Sequence, residues 1–473
     1  MGFKSDIVIG LEVHIELNTK TKLFCSCNRV GDDTPNARVC PICLGHPGTR
    51  PSLNEKALEY ALKLGLALDS RISKSLVFSR KNYFYPDMPK NFQITQFENP
   101  IALGGKIMLK DGTEINITRI HIEEDPASIT YPGTMRSSQY SLIDYNRAGN
   151  PLIELVTEPE LTSPEQAREF MNQLVSIITY LGIYDINTCV IKSDVNVSIK
   201  ETGYSRVEIK NVNGVKEIEK ALRYEITRQK TFARRGLNIS RETRGWNKAG
   251  KTTYLQRKKE TEEEYGYIIE PDLPALTIKN SLIAYIKESL PELPYQKRKR
   301  FEKEYKLSED DAYVMALDLR LANMFEELSR KISPKKVANW LRTEYLRVLN
   351  YNKKDIDDVE FGVNEILEIL ELMEEKVISK RIGQKLMERL VEGRFSPREH
   401  VKKTGMTQIS SKEELTKVCE QVVAEQAKAV KDYINGEHKA FEYLVGQVMA
   451  KTRGKANPLI TKEILIRIIK EQK

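Results

Sequence analysis

No apolar run in this chain of 473 residues approaches the ~18 residues that a membrane-spanning helix needs. The opening stretch "MGFKSDIVIGLEVHIEL" alternates apolar and polar residues and lacks the continuous apolar segment of a secretory leader. The expectation is a cytoplasmic protein that makes no use of a membrane. Cysteine is scarce, six residues in all, and in that compartment clustered thiols favour a metal over disulfides. Also absent are a Walker A loop, a GxGxxG turn and any Ser–His–Asp or Cys–His arrangement. Any nucleotide site must therefore be of another type, and nothing points to a covalent nucleophile. No segment repeats at a fixed period and none is of low complexity.

What is present suits a globular protein of two to four domains: 40% hydrophobic residues and 30% charged. The net charge of +8 is unevenly placed. Residues 206–260 hold 16 Lys and Arg against 6 Asp and Glu, and residues 397–473 hold 15 against 10. Two basic regions on a mildly acidic body suggest a polyanion such as nucleic acid, although solvated helix faces would look the same.

Up to about residue 290 the chain reads as β-rich. In "IVIGLEVHIEL", Leu11, Val13, Ile15 and Leu17 oppose Glu12, His14 and Glu16. "ITRIHIEED" opposes Ile120 and Ile122 to His121, Glu123 and Asp125, and "SDVNVSIK" opposes Val195, Val197 and Ile199 to Asp194, Asn196 and Ser198. Strands with one buried and one polar face belong to antiparallel sheets. A helix is predicted from Ser163 as N-cap and Pro164 at the first position to Gly182, and a second one ends at Gly236. Beyond "EPDLPAL" the period becomes helical, in "DDAYVMALDLRLANMFEELSRK" and then near 334–350, 364–375 and 379–391. "EGRFSPREHVKKTG" reads as a linker, followed by a basic helical tail.

Cys25, Cys27, Cys40 and Cys43 have the C-x-C and C-x-x-C spacing of a tetrahedral zinc site, the alternative being four unliganded thiols. Four sulfur ligands leave no open position, so such a zinc staples the fold and does not catalyse. His46 is a conceivable substitute ligand, but "GHPGT" reads as a turn. Cys189 and Cys419 read as core. Glu154 lies inside the apolar run Leu152–Val156, where a carboxylate is costly to bury without a facing cation or donor. Carboxylates converging with a histidine would suit Mg²⁺, and Mg²⁺ at a phosphate site normally accompanies ATP.

The blocks "GLEVHIELNTKTKLFCSC", "CPICLGHPGTRPSLN", "SRKNYFYPDMPKNFQITQF", "RIHIEEDPAS", "DYNRAGNPLIELVTEPE", "SDVNVSI", "EIKNVNG" and "IIEPDLPAL" occur in that order over residues 9–277. They resemble the GatB family, the B subunits of the tRNA-dependent Asp/Glu amidotransferases. The resemblance extends over essentially the whole chain. Its bacterial members run A-G-K after the E-E-D, where this chain has "PASITYPGTMRSS".

The resemblance implies an α+β protein. An antiparallel-sheet cradle similar to the glutamine synthetase catalytic fold (1–294, carrying the Cys₄ insert) precedes an all-α helical domain (295–396) and a small all-α tail that contacts tRNA (397–473). It implies ATP- and Mg²⁺-dependent phosphorylation of the side-chain carboxylate of Asp-tRNA(Asn) or Glu-tRNA(Gln). Ammonia from the glutaminase partner, the A subunit of such amidotransferases, then displaces phosphate. The C subunit clamps the other two into a heterotrimer. By residue, it implies catalytic and Mg²⁺-binding roles for Glu12, His14, Glu123 and Glu154. Glu124 is the alternative to Glu123, disfavoured because it shares parity with Ile120 and Ile122. His14 would coordinate as neutral imidazole, so activity should fall as pH drops through its pKa. Lys81 is expected to touch phosphate or carboxylate, unless it is an ordinary surface lysine. Asp194, Asn196, Ser198 and Lys210 are expected to line the nucleotide and substrate pocket. Structural Zn²⁺ falls to Cys25, Cys27, Cys40 and Cys43, and tRNA phosphates to Lys451, Arg453 and Lys455. Two other readings differ in class: a non-catalytic zinc-stapled tRNA-binding scaffold, and a free-standing ligase acting on a small molecule.

Overall fold

The computed structural model describes residues 5–133, 138–258, 266–406, 412–452 and 455–471. Two compact units divide the chain, residues 1–297 and 298–473.

In the first unit, strands β1 (Ile7–Glu16), β2 (Arg71–Ile72), β3 (Ser79–Asn82), β4 (Phe92–Thr95), β5 (Ala102–Leu103), β6 (Lys106–Met108), β7 (Glu114–Glu124), β8 (Pro151–Thr157), β9 (Ile191–Ile199), β10 (Val207–Asn213), β11 (Glu242–Asn247), β12 (Thr252–Lys258) and β13 (Gly266–Ile269) build two sheets of interest. The larger runs β12-β11-β10-β9-β1-β8-β7-β5-β2, with β6 also on β7. It is antiparallel except for β10 and β11, which are parallel and joined through a helix. The alternation in β1 is realised: Leu11, Val13, Ile15 and Leu17 are buried, as are Ile120, Ile122, Val195, Val197 and Ile199. That face packs on α1 (Glu55–Ala67), α2 (Pro164–Tyr180) and α3 (Val215–Arg234) through Ala57, Leu64, Phe170, Leu174, Ile218 and Leu222.

The helix ends follow local chemistry. Ser163 caps α2 by accepting from the Gln166 N–H, Pro164 fills the first position, and Gly182 follows at φ +67°. Asn54 caps α1 and also donates to the Thr21 and Lys22 carbonyls, tying α1 to the end of β1.

The opposite face of the sheet, polar in sequence, is not a free solvent face. His121 and Glu123 are buried. The smaller sheet, β13-β3-β4, lies against the end of β7. Gln93 donates to the Glu124 carbonyl at 2.7 Å, the Ile94 N–H to the Glu124 carboxylate at 2.8 Å, and the Ile122 N–H to Gln96 Oε1 at 3.0 Å.

The second unit is helical among its described residues. Two expectations change there. The stretch 310–331 is not continuous: Asp318 accepts from the Arg320 and Leu321 N–H groups and starts a new helix, Leu319–Ser329, directly after Glu309–Leu317. The expected linker at 392–405 contains a helix, Pro397–Thr404. Proline there sits at the first helical position and Ser396 is its N-cap, so both promote the helix. This helix is tied to Val363–Glu374 by Arg398, which pairs with Glu371 and Glu375, and by Ser396, which donates to Glu368. Leu415, Val422, Leu444 and Leu465 belong to an apolar cluster of their own, with Cys419 inside it.

Candidate active site and metal centres

The register of the large sheet assembles the site. Opposed residues in an antiparallel pair share a face. His14 lies opposite Glu154, Glu154 opposite His121, and Glu12 opposite Asp194. Asn196 lies opposite Glu208. One polar cluster thereby spans five adjacent strands, β7-β8-β1-β9-β10.

His14 Nε2 is 3.4 Å from Glu123 Oε1 and 3.4 Å from Glu154 Oε2. His121 Nε2 is 3.0 Å from Glu154 and 3.6 Å from Glu123. Thr95 donates to Glu123 at 3.1 Å, and Arg119 stands 4.0 Å from Glu154. The cations that Glu154 needs inside its apolar run are thus two imidazoles and a guanidinium. Burial disfavours charge on His14, but the Glu154 hydrogen bond and the charges of Glu154 and Glu123 outweigh it and raise the imidazole to about 9. His121 is lifted to about 9 against the same burial, by the charge of Glu154 and its bonds to Glu123 and Glu154. Burial pushes Glu154 up, but the histidines prevail and hold it well below the ordinary carboxylate range. Glu124 points elsewhere, to Lys90 at 2.5 Å.

The four expected metal-binding residues share a cavity of about 290 Å³ with Lys81, Asp194 and Lys210, but they form two groups. Ligand atoms of His14, Glu123 and Glu154 lie within 4.8 Å of one another, and those of Glu12, Asp194 and Glu208 form a second such set. Glu12 accepts from Asn196 Nδ2 at 2.9 Å. Burial, together with the charges of Glu154 and Asp194, raises its pKa. The first set, two carboxylates and an imidazole, suits a hard divalent ion. In the second set the Lys210 ammonium already sits 2.7 Å from Asp194 and 2.8 Å from Glu208. A cation is therefore supplied there by the chain itself.

Asn196 and Ser198 line an adjoining cavity of about 390 Å³ that also has Glu12 in its wall, together with Tyr204, Arg206 and Arg241. Glu12 stands in the wall of both cavities, so the carboxylate cavity borders one that holds two arginines. Glu208, His121, Arg206 and Arg241 are site residues that the sequence reading does not assign. The parity of Glu208 with Lys210, and of His121 with Glu123, is the available signal for the first two.

The sulfur atoms of Cys25, Cys27, Cys40 and Cys43 also lie within 4.8 Å of one another, a cluster that can bind a metal. Lys22, fully buried, brings its ammonium to 3.8 Å from Cys43 Sγ, which favours thiolate. Arg29, two residues past Cys27, is buried against Glu16 at 3.3 Å and the Thr188 carbonyl at 2.7 Å. His46 stands in a turn closed by the Thr49 N–H. In the tail, Lys451 pairs with Glu425 at 2.5 Å and Lys455 donates to the Gly405 carbonyl at 2.6 Å, while Arg453 lies outside the described residues.

Residues 7–284 match the family model described as the GatB/GatE catalytic domain, and residues 323–469 match one described as the GatB domain. The chain belongs to the GatB/GatE family. Proteins named as the B subunit of aspartyl/glutamyl-tRNA(Asn/Gln) amidotransferase are similar to it over nearly their full length. That of Carboxydothermus hydrogenoformans is 42% identical over 97% of this chain and 98% of its own. That of Sulfurisphaera tokodaii is 43% identical over 98% and 99%, and that of Thermoanaerobacter pseudethanolicus 42% over 98% of each. The cysteine cluster, both carboxylate sets and the two cavities all fall within the GatB/GatE catalytic region. Among the described residues no helix is long and apolar enough to cross a membrane.

Proposed function

We propose that this chain is the amide-forming component of a glutamine-dependent amidotransferase acting on misacylated tRNA. The free side-chain carboxylate of an Asp or Glu whose α-carboxyl is esterified to the tRNA attacks the γ-phosphorus of ATP, and ADP leaves. Ammonia then attacks the acyl phosphate carbon, loses a proton and expels phosphate. Phosphorylation is needed because a carboxylate oxygen cannot leave by itself. The observation that carries this reading is the convergence of His14, Glu123 and Glu154 from three adjacent strands on one cavity floor.

His14, Glu123 and Glu154 would hold Mg²⁺, which when bound neutralises triphosphate charge and stabilises the charge of the transferring phosphoryl group. Arg206, Arg241, Asn196 and Ser198, in the bordering cavity, bind the nucleotide. Lys81 and Arg119, in the wall of the carboxylate cavity, hold the substrate carboxylate against the repulsion of that floor. Lys210 keeps Asp194 and Glu208 in place, and Glu12, held by Asn196, joins the two carboxylate groups. The roof formed by β13-β3-β4 limits water, which would otherwise hydrolyse the acyl phosphate.

Zinc at the four cysteines clamps the chain between β1 and α1. The glutaminase (A) and clamp (C) subunits are the partners in the cytoplasm, and 1–294, 295–396 and 397–473 act as cradle, helical domain and RNA-contacting tail. The test is reconstitution with these two partners, following ATP- and glutamine-dependent amidation of Asp-tRNA(Asn) and Glu-tRNA(Gln). Glu12→Ala and Glu154→Ala are expected to lose amidation at least a hundredfold. Undiminished amidation in both variants would leave only the scaffold reading.

A further inference from the structure

The rings of Phe97 and Tyr267 stack with centroids 3.9 Å apart and planes 12° from parallel. Both line the cavity that holds His14, Glu123 and Glu154. Phe97 is 53% exposed, a large apolar ring at the edge of a highly charged cavity. We propose that this pair is the platform on which the terminal base of the aminoacylated RNA stacks, fixing the free side-chain carboxylate of the ester-linked amino acid over the acidic cluster. The proposal deepens the function proposed above and rests on it.

Three observations favour this occupant. First, the stack is built into the catalytic frame. Phe97 follows β4 by two residues, and Thr95 of β4 bonds Glu123, while Tyr267 on β13 lies directly opposite Lys81 on β3. A ligand resting on the stack is therefore held in register with the carboxylates and beside Lys81, the cation that holds its side-chain carboxylate.

Second, the two bordering cavities have chemically different ends. The far cavity beyond Glu12 carries Arg206 and Arg241, guanidinium groups matched to a polyphosphate. In-line phosphoryl transfer requires the acceptor oxygen and the leaving diphosphate on opposite sides of the phosphorus. With the triphosphate at the arginine end, the acceptor must enter from the aromatic end, and that acceptor is attached to the terminal nucleoside of an RNA. Third, a partly exposed aromatic stack beside a basic group is the chemistry that binds unpaired nucleotides, since every base offers a π face.

The experiment uses the reconstituted complex with Phe97→Leu, which keeps apolar volume but removes the ring, Phe97→Tyr, which keeps a ring, and Tyr267→Ala. Initial rates are measured with misacylated tRNA and ATP varied separately. The expected result is a rise of roughly tenfold in KM for the misacylated tRNA with Phe97→Leu and Tyr267→Ala. Phe97→Tyr should recover most of that change, and KM for ATP should stay in place. A rise in KM for ATP instead would assign the stack to the nucleotide base, and no change in either KM would make it structural; both overturn the proposal. Divalent-ion affinity serves as the folding control, because the stack supplies none of its ligands. Amidation that survives Glu154→Ala would defeat the underlying function whatever these variants do.

Discussion

His14 and Glu154 face each other across neighbouring strands, imidazole Nε2 3.4 Å from carboxylate Oε2, a contact that favours the protonated imidazole at a position a metal ion could take. The raised pKa of His14, about 9, follows from that contact and from Glu123, against burial. A divalent ion and this proton therefore compete.

Divalent-ion affinity should climb with pH. At pH 7 the metal-free His14 is protonated, and binding must expel that proton. Affinity is expected to rise about tenfold per pH unit for each proton expelled, and to level off above about pH 9. Without metal the same protons stabilise the fold, fully below the ordinary histidine value of 6.5, decreasingly as pH rises towards 9, and not at all above it. Titration with Mn²⁺ by calorimetry from pH 6.5 to 9.5 checks this, and pH-independent affinity would refute it.

The cysteine cluster should carry one metal atom per chain, measured by elemental analysis. Cys27→Ser should lose it and lower Tm by about 10 °C or more, because the loop from Cys25 to Cys43 then no longer clamps the end of β1. Full metal content in the variant would contradict the assignment of Cys27 as a ligand.

Arg29→Met leaves the buried Glu16 with only the Asn150 amide and the Val190 N–H as partners. The expected destabilisation is about 3–5 kcal/mol, read from denaturant unfolding. The double variant with Glu16→Gln should recover part of it, because the uncompensated charge is gone. Equal losses in single and double variants would show that packing, and not the charge, sets the cost.

In the tail, Glu425 holds Lys451. Lys451→Ala and Lys455→Ala should each weaken tRNA binding and lower the slope of log affinity against log salt by about one. Glu425→Gln, which releases Lys451, should strengthen it. Filter binding across a salt series reads all three, and unchanged slopes would remove the tail lysines from the RNA contact.

Much of the cradle is legible because β strands write their faces into alternate residues. The buried side of β1 follows from parity, as does the placing of Glu123 with His14 and Glu154 while Glu124 turns to Lys90, and Glu154 stands out because its neighbours are apolar. The roof over the polar face is not legible. It is built from strands at 79–82, 92–95 and 266–269, too far apart in sequence for any local period to reveal their pairing. The same non-local geometry separates Glu12 from the other three and groups it with Asp194 and Glu208. In the helical part the misses are local. Pro397 reads as a breaker although it starts a helix, and Asp318 interrupts an otherwise continuous apolar period by capping.

The most direct measurement withholds ammonia. With misacylated tRNA, ATP and Mg²⁺ but no glutamine or ammonium, the complex should still cleave ATP in the presence of the charged RNA, yielding ADP and an acyl phosphate trappable by hydroxylamine. Glu154→Ala should abolish both products while tRNA binding persists. RNA-dependent ADP formation and hydroxamate at the wild-type level in that variant would contradict the claim that His14, Glu123 and Glu154 form the activating centre.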